Sequence, residues 1–361
     1  MNIEVKPKKV HALLPTDILF QSVYWSKVKS HLGWNPLAFD YQSSTGHKGD
    51  ILILIRTLEA GFAVAYVPQG PEVGPETEKQ GLFLEALSLN LLKHLDSSIA
   101  FLRYDLPWES AYMPDEGNGQ SWPECPPVRL REMRMNFGTL TWNLRKADAD
   151  LTVADALILD LRRPVEKIFS DMKPKTRYNI GLARKKDVSV FRASTEMLPV
   201  FYNLYLQTAK RNGFPSCSYR HFSALFSATA HSHKWSETFF LLSAKGPDIL
   251  AGGIFVISGR QALYLFGASS SERRDLMGSY ALHWEMIRIA RNRGCREYDM
   301  GAVSPGPDPG HPFYGMYRFK TGFGGKIVHR RGTWDFPIHE MKYDSFRNFE
   351  VANRMKIAQS M

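Results

Sequence analysis

FFLLSAKGPDILAGGIFVISGRQALYLFGA, running from Phe239 to Ala268, is the most strongly patterned stretch of the chain. Phe239–Ala244, Ile249–Ile257 and Ala262–Ala268 are apolar runs rich in aromatic and β-branched residues, which suit a pleated, half-buried surface. The joins, Lys245-Gly246-Pro247-Asp248 and Ser258-Gly259-Arg260, are short and carry Gly or Pro, so the runs read as an antiparallel meander. Downstream, Ser279–Arg293 places Leu282, Met286 and Ile289 at helical spacing, with Trp284 and Ile287 alongside, and Gly294 closes an amphipathic helix. Glu297–Met300 is a short strand and Lys326–Trp334 another. Between them Ser304–Pro312 holds four prolines and two glycines, too irregular for an element and long enough to be a functional loop.

Upstream, the same order recurs in a looser form. Phe20–Leu32 reads as a short helix closed by Gly33. Asp50–Ile55 and Phe62–Val67 form a strand pair around Glu59-Ala60-Gly61, and Pro68–Pro75 is a rigid loop. Leu84, Leu87, Leu91 and Leu95 make a helix face, and Ile99–Tyr104 is a strand ended by Asp105-Leu106-Pro107. A loop rich in Gly and Pro covers Asp115–Pro127. Ala156–Leu161 is a strand, Pro199–Gly213 a helix, and the tail from Tyr343 a helix. Meander, helix, strand, then a second strand is the order of a GNAT (acyl-CoA N-acyltransferase-like) sheet. We therefore expect a mixed α/β chain (α+β) of two tandem GNAT-like domains, 1–155 with 336–361, and 156–335.

Composition agrees with a folded protein. The 361 residues are 44% apolar and 12% aromatic, which excludes disorder, collagen-like repeats and a disulfide-held miniprotein. The net charge of +10 suits polyanionic partners such as RNA, diphosphates or an acidic membrane surface. Three separated cysteines, Cys125, Cys217 and Cys295, indicate neither a disulfide framework nor a metal knuckle. The start, MNIEVKPKKVHALLP, has no apolar signal region, and the longest aliphatic run, Ile51–Ile55, is strand-length. A cytoplasmic protein is expected, with any membrane contact peripheral.

Several familiar motifs fail. His231-Ser232-His233 has no Cys or carboxylate cluster beside it, so no metal is expected. Gly-x-Ser-x-Gly and the Walker A pattern are absent. The CoA-cradling pattern Arg/Gln-x-x-Gly-x-Gly/Ala is expected before the Ser279 helix, but Met277 stands where its first Gly belongs. That counts against CoA as donor, and no cofactor is expected.

Seven segments taken in order resemble the FemABX family of peptidoglycan bridge-forming transferases. They are FQSVYWSKVKSHLGW (Phe20–Trp34), AYVPQGP (Ala65–Pro71), KPKTRYNIGLARKKDVSV (Lys173–Val190), YLQTAKRNGF (Tyr205–Phe214), ALYLFGASS (Ala262–Ser270), HWEMIRIARNRGCREYDMGA (His283–Ala302) and GMYRFKTGFGGKIV (Gly315–Val328). The resemblance implies two GNAT-like domains, the C-terminal helix returning to the first. It also implies transfer of an amino acid from aminoacyl-tRNA to an amine on the stem peptide of a peptidoglycan precursor, lipid II or a UDP-muropeptide. The first domain would bind the precursor and the second the aminoacyl-tRNA end. This chain departs from the family in lacking a helical-arm insertion, in Met300 and Ala302 where aromatic and glycine residues are usual, and in its longer proline loop.

The resemblance also marks residues. Lys29 and Arg211 would hold a diphosphate, a role suited to spaced cations and to the bidentate guanidinium. A solvated helix face for Lys29 and a helix C-terminus for Arg211 are the plainer alternatives. Asp105 aligns with a proposed base, although the family reads Asp-Pro without the intervening Leu106. The acceptor amine, with a free pKa near ~10, must lose a proton before attack; a turn carboxylate is the alternative. Phe319 can stack on a terminal base, and Lys320 can stabilise charge developing on the ester carbonyl. Tyr264 and Phe266 alternate with Leu263 and Leu265, so one face lines core and the other the cleft. The basic stretch Lys173, Lys175, Arg177, Arg184, Lys185, Lys186 reads as an RNA phosphate track, with a log–log salt slope of about −4 to −5 if all contribute. Two rival functions remain: a CoA-dependent N-acyltransferase of the same fold, and a non-catalytic RNA- or membrane-surface-binding protein.

Overall fold

The computed structural model describes residues 1–58, 61–112, 125–229 and 235–352. Glu59-Ala60, the loop over Asp115–Pro127 except its last three residues, and His231-Ser232-His233 lie outside the described residues. The chain divides into two compact units. The first comprises Met1–Leu14, Phe20–Ala154 and His329–Met361; the second comprises Pro15–Leu19 and Asp155–Val328. The return to the first unit thus falls at His329, ahead of Phe336. Pro15–Leu19 joins the second unit because the Ser258 hydroxyl donates to the Thr16 carbonyl (2.9 Å) and the Arg260 N–H to the Asp17 carboxylate (2.7 Å).

Unit 1 starts with β1 (Ile3–Lys8), α1 (Val23–His31), β2 (Asn35–Ser43), β3 (Lys48–Thr57), β4 (Ala63–Val67), α2 (Gln80–Leu91), β5 (Ile99–Glu109), α3 (Val128–Asn136) and β6 (Arg145–Lys146). Unit 2 holds β7 (Asp155–Asp160), α4 (Val165–Ser170), α5 (Pro174–Lys185), β8 (Ser189–Arg192), α6 (Leu198–Asn212) and α7 (Tyr219–Thr229). It continues with β9 (Ser236–Lys245), β10 (Asp248–Ser258), β11 (Gln261–Ser269), α8 (Gly278–Asn292), β12 (Glu297–Ala302) and α9 (Tyr314–Lys320). The chain re-enters unit 1 along β13 (Lys326–Pro337) and ends in α10 (Glu340–Ala352).

The sheet of unit 1 has the order β1-β2-β3-β4-β5-β13, parallel only between β4 and β5. That of unit 2 has the order β7-β12-β11-β10-β9-β8, parallel only between β11 and β12. The expected meander is therefore present as β9, β10 and β11. Among the described residues no long helical pair interrupts unit 2, where α6 and α8 have 15 residues each. No helix of the described residues is long and apolar enough to cross a membrane.

Alternation along β5 sets the two faces of the first sheet. Leu102, Tyr104 and Leu106 join the core with Leu84, Leu87 and Leu91 of α2, while Arg103 and Asp105 point to the opposite face. Arg103 is buried there, and its guanidinium forks onto Asp335 (2.7 and 2.8 Å) and onto Glu350 of α10 (2.6 and 3.0 Å). The Tyr343 hydroxyl adds a bond to Asp335 (3.0 Å), and Tyr343 and Phe346 pack on Phe101. The C-terminal helix is thus held by a complete buried ion network inside an apolar cluster.

β5 does not stop at Tyr104. It continues through Asp105-Leu106-Pro107 because its register against β13 shifts between Arg330 and Gly332, leaving an extra residue on β5. A proline, which has no N–H to donate, fits such a bulge. Asp105 is accordingly a mid-strand residue rather than a turn carboxylate.

Candidate functional site

The polar face of the unit 1 sheet carries one group of marked residues. Alternation sends Arg56 of β3, Tyr66 of β4, Asp105 of β5 and Thr333 of β13 to that face. α1 supplies Trp25 and Lys29, and Trp34 follows it. Ser22 caps α1 by accepting the Trp25 N–H (3.2 Å), which fixes where the helix starts. Lys29 is buried, its ammonium 5.2 Å from the Trp25 ring and 5.4 Å from Trp34. The solvated helix face is therefore not where Lys29 lies. The Arg56 guanidinium packs on the same Trp34 ring at 5.4 Å. Trp34 lies 6.0 Å from the Tyr66 ring, and the Tyr66 hydroxyl donates to Asp105. Lys29 and Asp105 are thus linked by one run of side-chain contacts.

Asp105 is buried and held by three donors: the Tyr66 hydroxyl, the Thr333 hydroxyl and the Thr152 N–H (3.1 Å). Burial pushes its carboxyl up to about 6, against the hydrogen bonds from Thr333 and Tyr66 that pull it down.

A second group forms in unit 2 around Lys320. The parallel ladder between β11 and β12 ends at Leu263 opposite Asp299, and beyond it the strands no longer pair. Lys320, at the end of α9, lies there: its ammonium donates to the Ala302 carbonyl (2.8 Å) and sits 5.8 Å from the Tyr264 ring. Burial lowers it to about 8, with Asp299 acting in the other direction. Gly267 makes the seat for Tyr264; a Cβ there would fall 1.3 Å from the Tyr264 hydroxyl. His283 of α8 is buried at 4.6 Å from the Tyr264 ring, and its Nδ1 shares a 2.7 Å bond with the Tyr298 hydroxyl. Burial, then the nearby Lys320, push His283 down to about 3, so its ring is neutral. Phe319 is half-buried against Tyr280 (5.0 Å), His283 (5.4 Å) and Phe323 (5.4 Å).

Arg211 lies at the C-terminal end of α6 and reaches the end of β11. Its guanidinium donates to the Ser269 carbonyl (2.9 Å), the Ser269 hydroxyl (2.9 Å) and the Ser271 hydroxyl (2.8 Å). It therefore joins α6 to the strand that carries Tyr264. Partial burial and the neighbouring Arg274 lower its pKa.

The basic stretch of α5 divides. Lys175 is exposed, its ammonium 5.2 Å from the exposed Tyr178 ring. Arg177 turns inward and donates to the Ser170 (2.9 Å) and Met172 carbonyls at the end of α4. Lys186 pairs with Asp275 (2.8 Å). These two cations are engaged within the fold, and the proposed track shrinks to Lys173, Lys175, Arg184 and Lys185, all exposed. The loop before α8 takes left-handed backbone at Arg273 (φ 48) and Met277 (φ 57), where glycine fits more readily.

Sequence reasoning passed over Trp34, Arg56, Tyr66 and Thr333 in unit 1, and His283, Tyr298 and Tyr280 in unit 2. Trp34, Tyr66, His283 and Tyr298 stood inside quoted segments, so position there was the available signal. Thr333 had none, because only strand pairing brings it to Asp105.

A family model described as the FemAB family matches residues 13–234 and 227–350. A lipid II:glycine glycyltransferase of Staphylococcus epidermidis is 22% identical over 246 residues, 52% of this chain and 59% of that protein. One from Staphylococcus haemolyticus is 32% identical over 104 residues, 28% of this chain and 25% of that protein. The matched region is thus less than two thirds of those relatives' length. The crystal structure of FemX covers 95% of this chain and 100% of its own, with a TM-score of 0.71 at 16% identity, and so shares the fold.

Proposed function

This chain belongs to the FemAB family, and we propose that it forms an amide between an activated amino acid and an amine on the stem peptide of a peptidoglycan precursor. The donor in this reading is aminoacyl-tRNA and the acceptor lipid II, the substrate named for the staphylococcal relatives. Unit 1 binds the acceptor, with Lys29 as the cation for its diphosphate; Arg211 lies in unit 2, where Ser269 and Ser271 take up its guanidinium, and is not assigned to that grip. Unit 2 receives the aminoacyl-adenosine end, with Phe319 against the base and Lys175 and its exposed neighbours along the RNA. The acceptor nitrogen attacks the ester carbonyl carbon; a C–N bond forms and the C–O bond to the ribose breaks. The nitrogen loses a proton toward Asp105, and the departing ribose oxygen gains one. Both Asp105 oxygens already accept hydrogen bonds, so the proton travels through the Tyr66 or Thr333 hydroxyl.

The observation that carries this reading is Lys320, a buried cation beside Tyr264 where β11 and β12 part. In a dry site such a charge stabilises a developing oxyanion far more than it would in water. The ester is already activated, so orientation and charge placement supply the catalysis. The test offers the protein lipid II or a UDP-muropeptide together with either charged tRNA or acyl-CoA. An aminoacyl mass gain on the acceptor with charged tRNA supports the proposal. A gain with acyl-CoA alone identifies the rival acyltransferase, and RNA binding with no gain leaves a binding protein.

A further inference from the structure

The segment VRLREMRMNFGTLTWNLRK (Val128–Lys146), covering α3 and the loop after it, belongs to neither group of site residues. In that loop Phe137 is 75% exposed, Leu140 88% and Trp142 49%; Met133, a turn earlier on α3, is exposed too. Single exposed apolar residues are ordinary, but three large ones on one short loop are not.

The loop is firmly built. Glu85 of α2 is buried, and its carboxylate accepts the N–H groups of Leu140 (2.9 Å) and Thr141 (2.7 Å) and the Thr141 hydroxyl (2.6 Å). Asn136 closes the base, accepting the Leu144 N–H (2.9 Å) and donating to the Leu144 carbonyl (2.8 Å). Arg145 donates to the Trp142 carbonyl (2.7 Å). Trp142 itself takes φ 51, a left-handed conformation that is costly for a bulky side chain. The fold thus fixes these side chains outward at some expense. Leu89, one turn after Glu85 on α2, extends the exposed apolar surface.

The charge around them is one-sided: Arg129, Arg131, Arg134 and Arg145 stand against Glu132 alone in this segment, while Lys146 is buried and paired with Asp150. We propose that this loop docks unit 1 on an anionic lipid bilayer. Phe137, Leu140 and Trp142 enter the interface, and the arginines meet headgroup phosphates. A projecting apolar tip rimmed by cations suits a bilayer, which needs no matching cavity. The docking goes beyond the transfer reaction and is measured without donor or acceptor, so either can fail alone.

The experiment sediments the full chain with vesicles of phosphatidylglycerol and phosphatidylcholine, or of phosphatidylcholine alone, at about 0.1 M salt. Wild type is expected to partition at least ~10-fold better onto the anionic vesicles. The variant F137S/L140S/W142N is expected to lose at least ~10-fold of that partition. Its melting temperature should be equal or higher, because Asn accepts left-handed backbone more readily than Trp. Brominated lipid should quench wild-type fluorescence more than that of Trp142→Phe, which keeps a large ring in place. Equal partition of wild type and the triple variant overturns the proposal. So does a triple variant that melts far lower, or a wild-type dimer that the triple variant dissolves while neither binds vesicles.

Discussion

Lys320 is a cation that burial makes costly to keep charged, held at about 8 beside the Ala302 carbonyl. If its charge acts on the ester carbonyl, transfer must slow as pH rises through about 8 and the ammonium empties. Lys320→Arg keeps the charge at any accessible pH. That variant is predicted to transfer more slowly than wild type, with no loss between pH 7 and 9; a pH–rate profile checks both features. A wild-type rate that is flat across that range would remove the charge from the reaction. Asp105 has the opposite displacement, raised by burial from the ordinary aspartate range to about 6. The folded state therefore binds its proton more tightly than the unfolded chain. Its stabilising contribution is full below about pH 4 and is lost as pH rises through about 6, on the order of 3 kcal/mol at most. Asp105→Asn cannot titrate, so its melting curve should lack that limb. Parallel pH dependence in wild type and Asp105→Asn between pH 4 and 7 would contradict this assignment.

Among the elements, α10 is held by an unusual lock. Removing Glu350 leaves Arg103 buried with half its fork unmatched. Glu350→Ala is predicted to destabilise unit 1 by about 3–5 kcal/mol, read from the urea midpoint; a change under about 1 kcal/mol would show that α10 is loosely attached. β11 makes a separate prediction. Gly267→Ala displaces the Tyr264 ring that sits beside Lys320, so transfer should fall roughly 10-fold or more with little change in melting. Unchanged transfer would mean that Tyr264 does not seat the lysine. The elements also show what could be read in advance. The meander and α8 were legible because their apolar spacing was unbroken. β1 and β2 were not: Pro7 and Pro36 interrupt their pattern, yet each strand pairs in the sheet. α9 is one short helix inside a glycine-rich segment, too brief for periodicity to register.

For the whole molecule, the net charge of +10 suggested RNA but could not say which cations remain available. Arg177 and Lys186 are used inside the fold, leaving four exposed cations on and beside α5. The log–log salt slope of tRNA binding is therefore predicted at about −3 to −4, less than the six-cation value; a slope steeper than about −5 would require a track elsewhere. The site was partly legible for the same reason. Lys29, Arg211 and Lys320 stand in quoted segments, but their partners come from pairing across long sequence separations. Thr333 meets Asp105, and Ser269 meets Arg211, through strand register and helix packing that local spacing does not encode.

In the proposed reaction the aminoacyl ester reacts at the Lys320 seat. The most direct test is the single-turnover rate of aminoacyl transfer from charged tRNA to lipid II, with tRNA affinity measured in parallel. For Lys320→Ala the rate constant is predicted to fall about 10²–10³-fold while affinity changes only a few-fold. A Lys320→Ala protein that transfers at the wild-type rate would contradict the account.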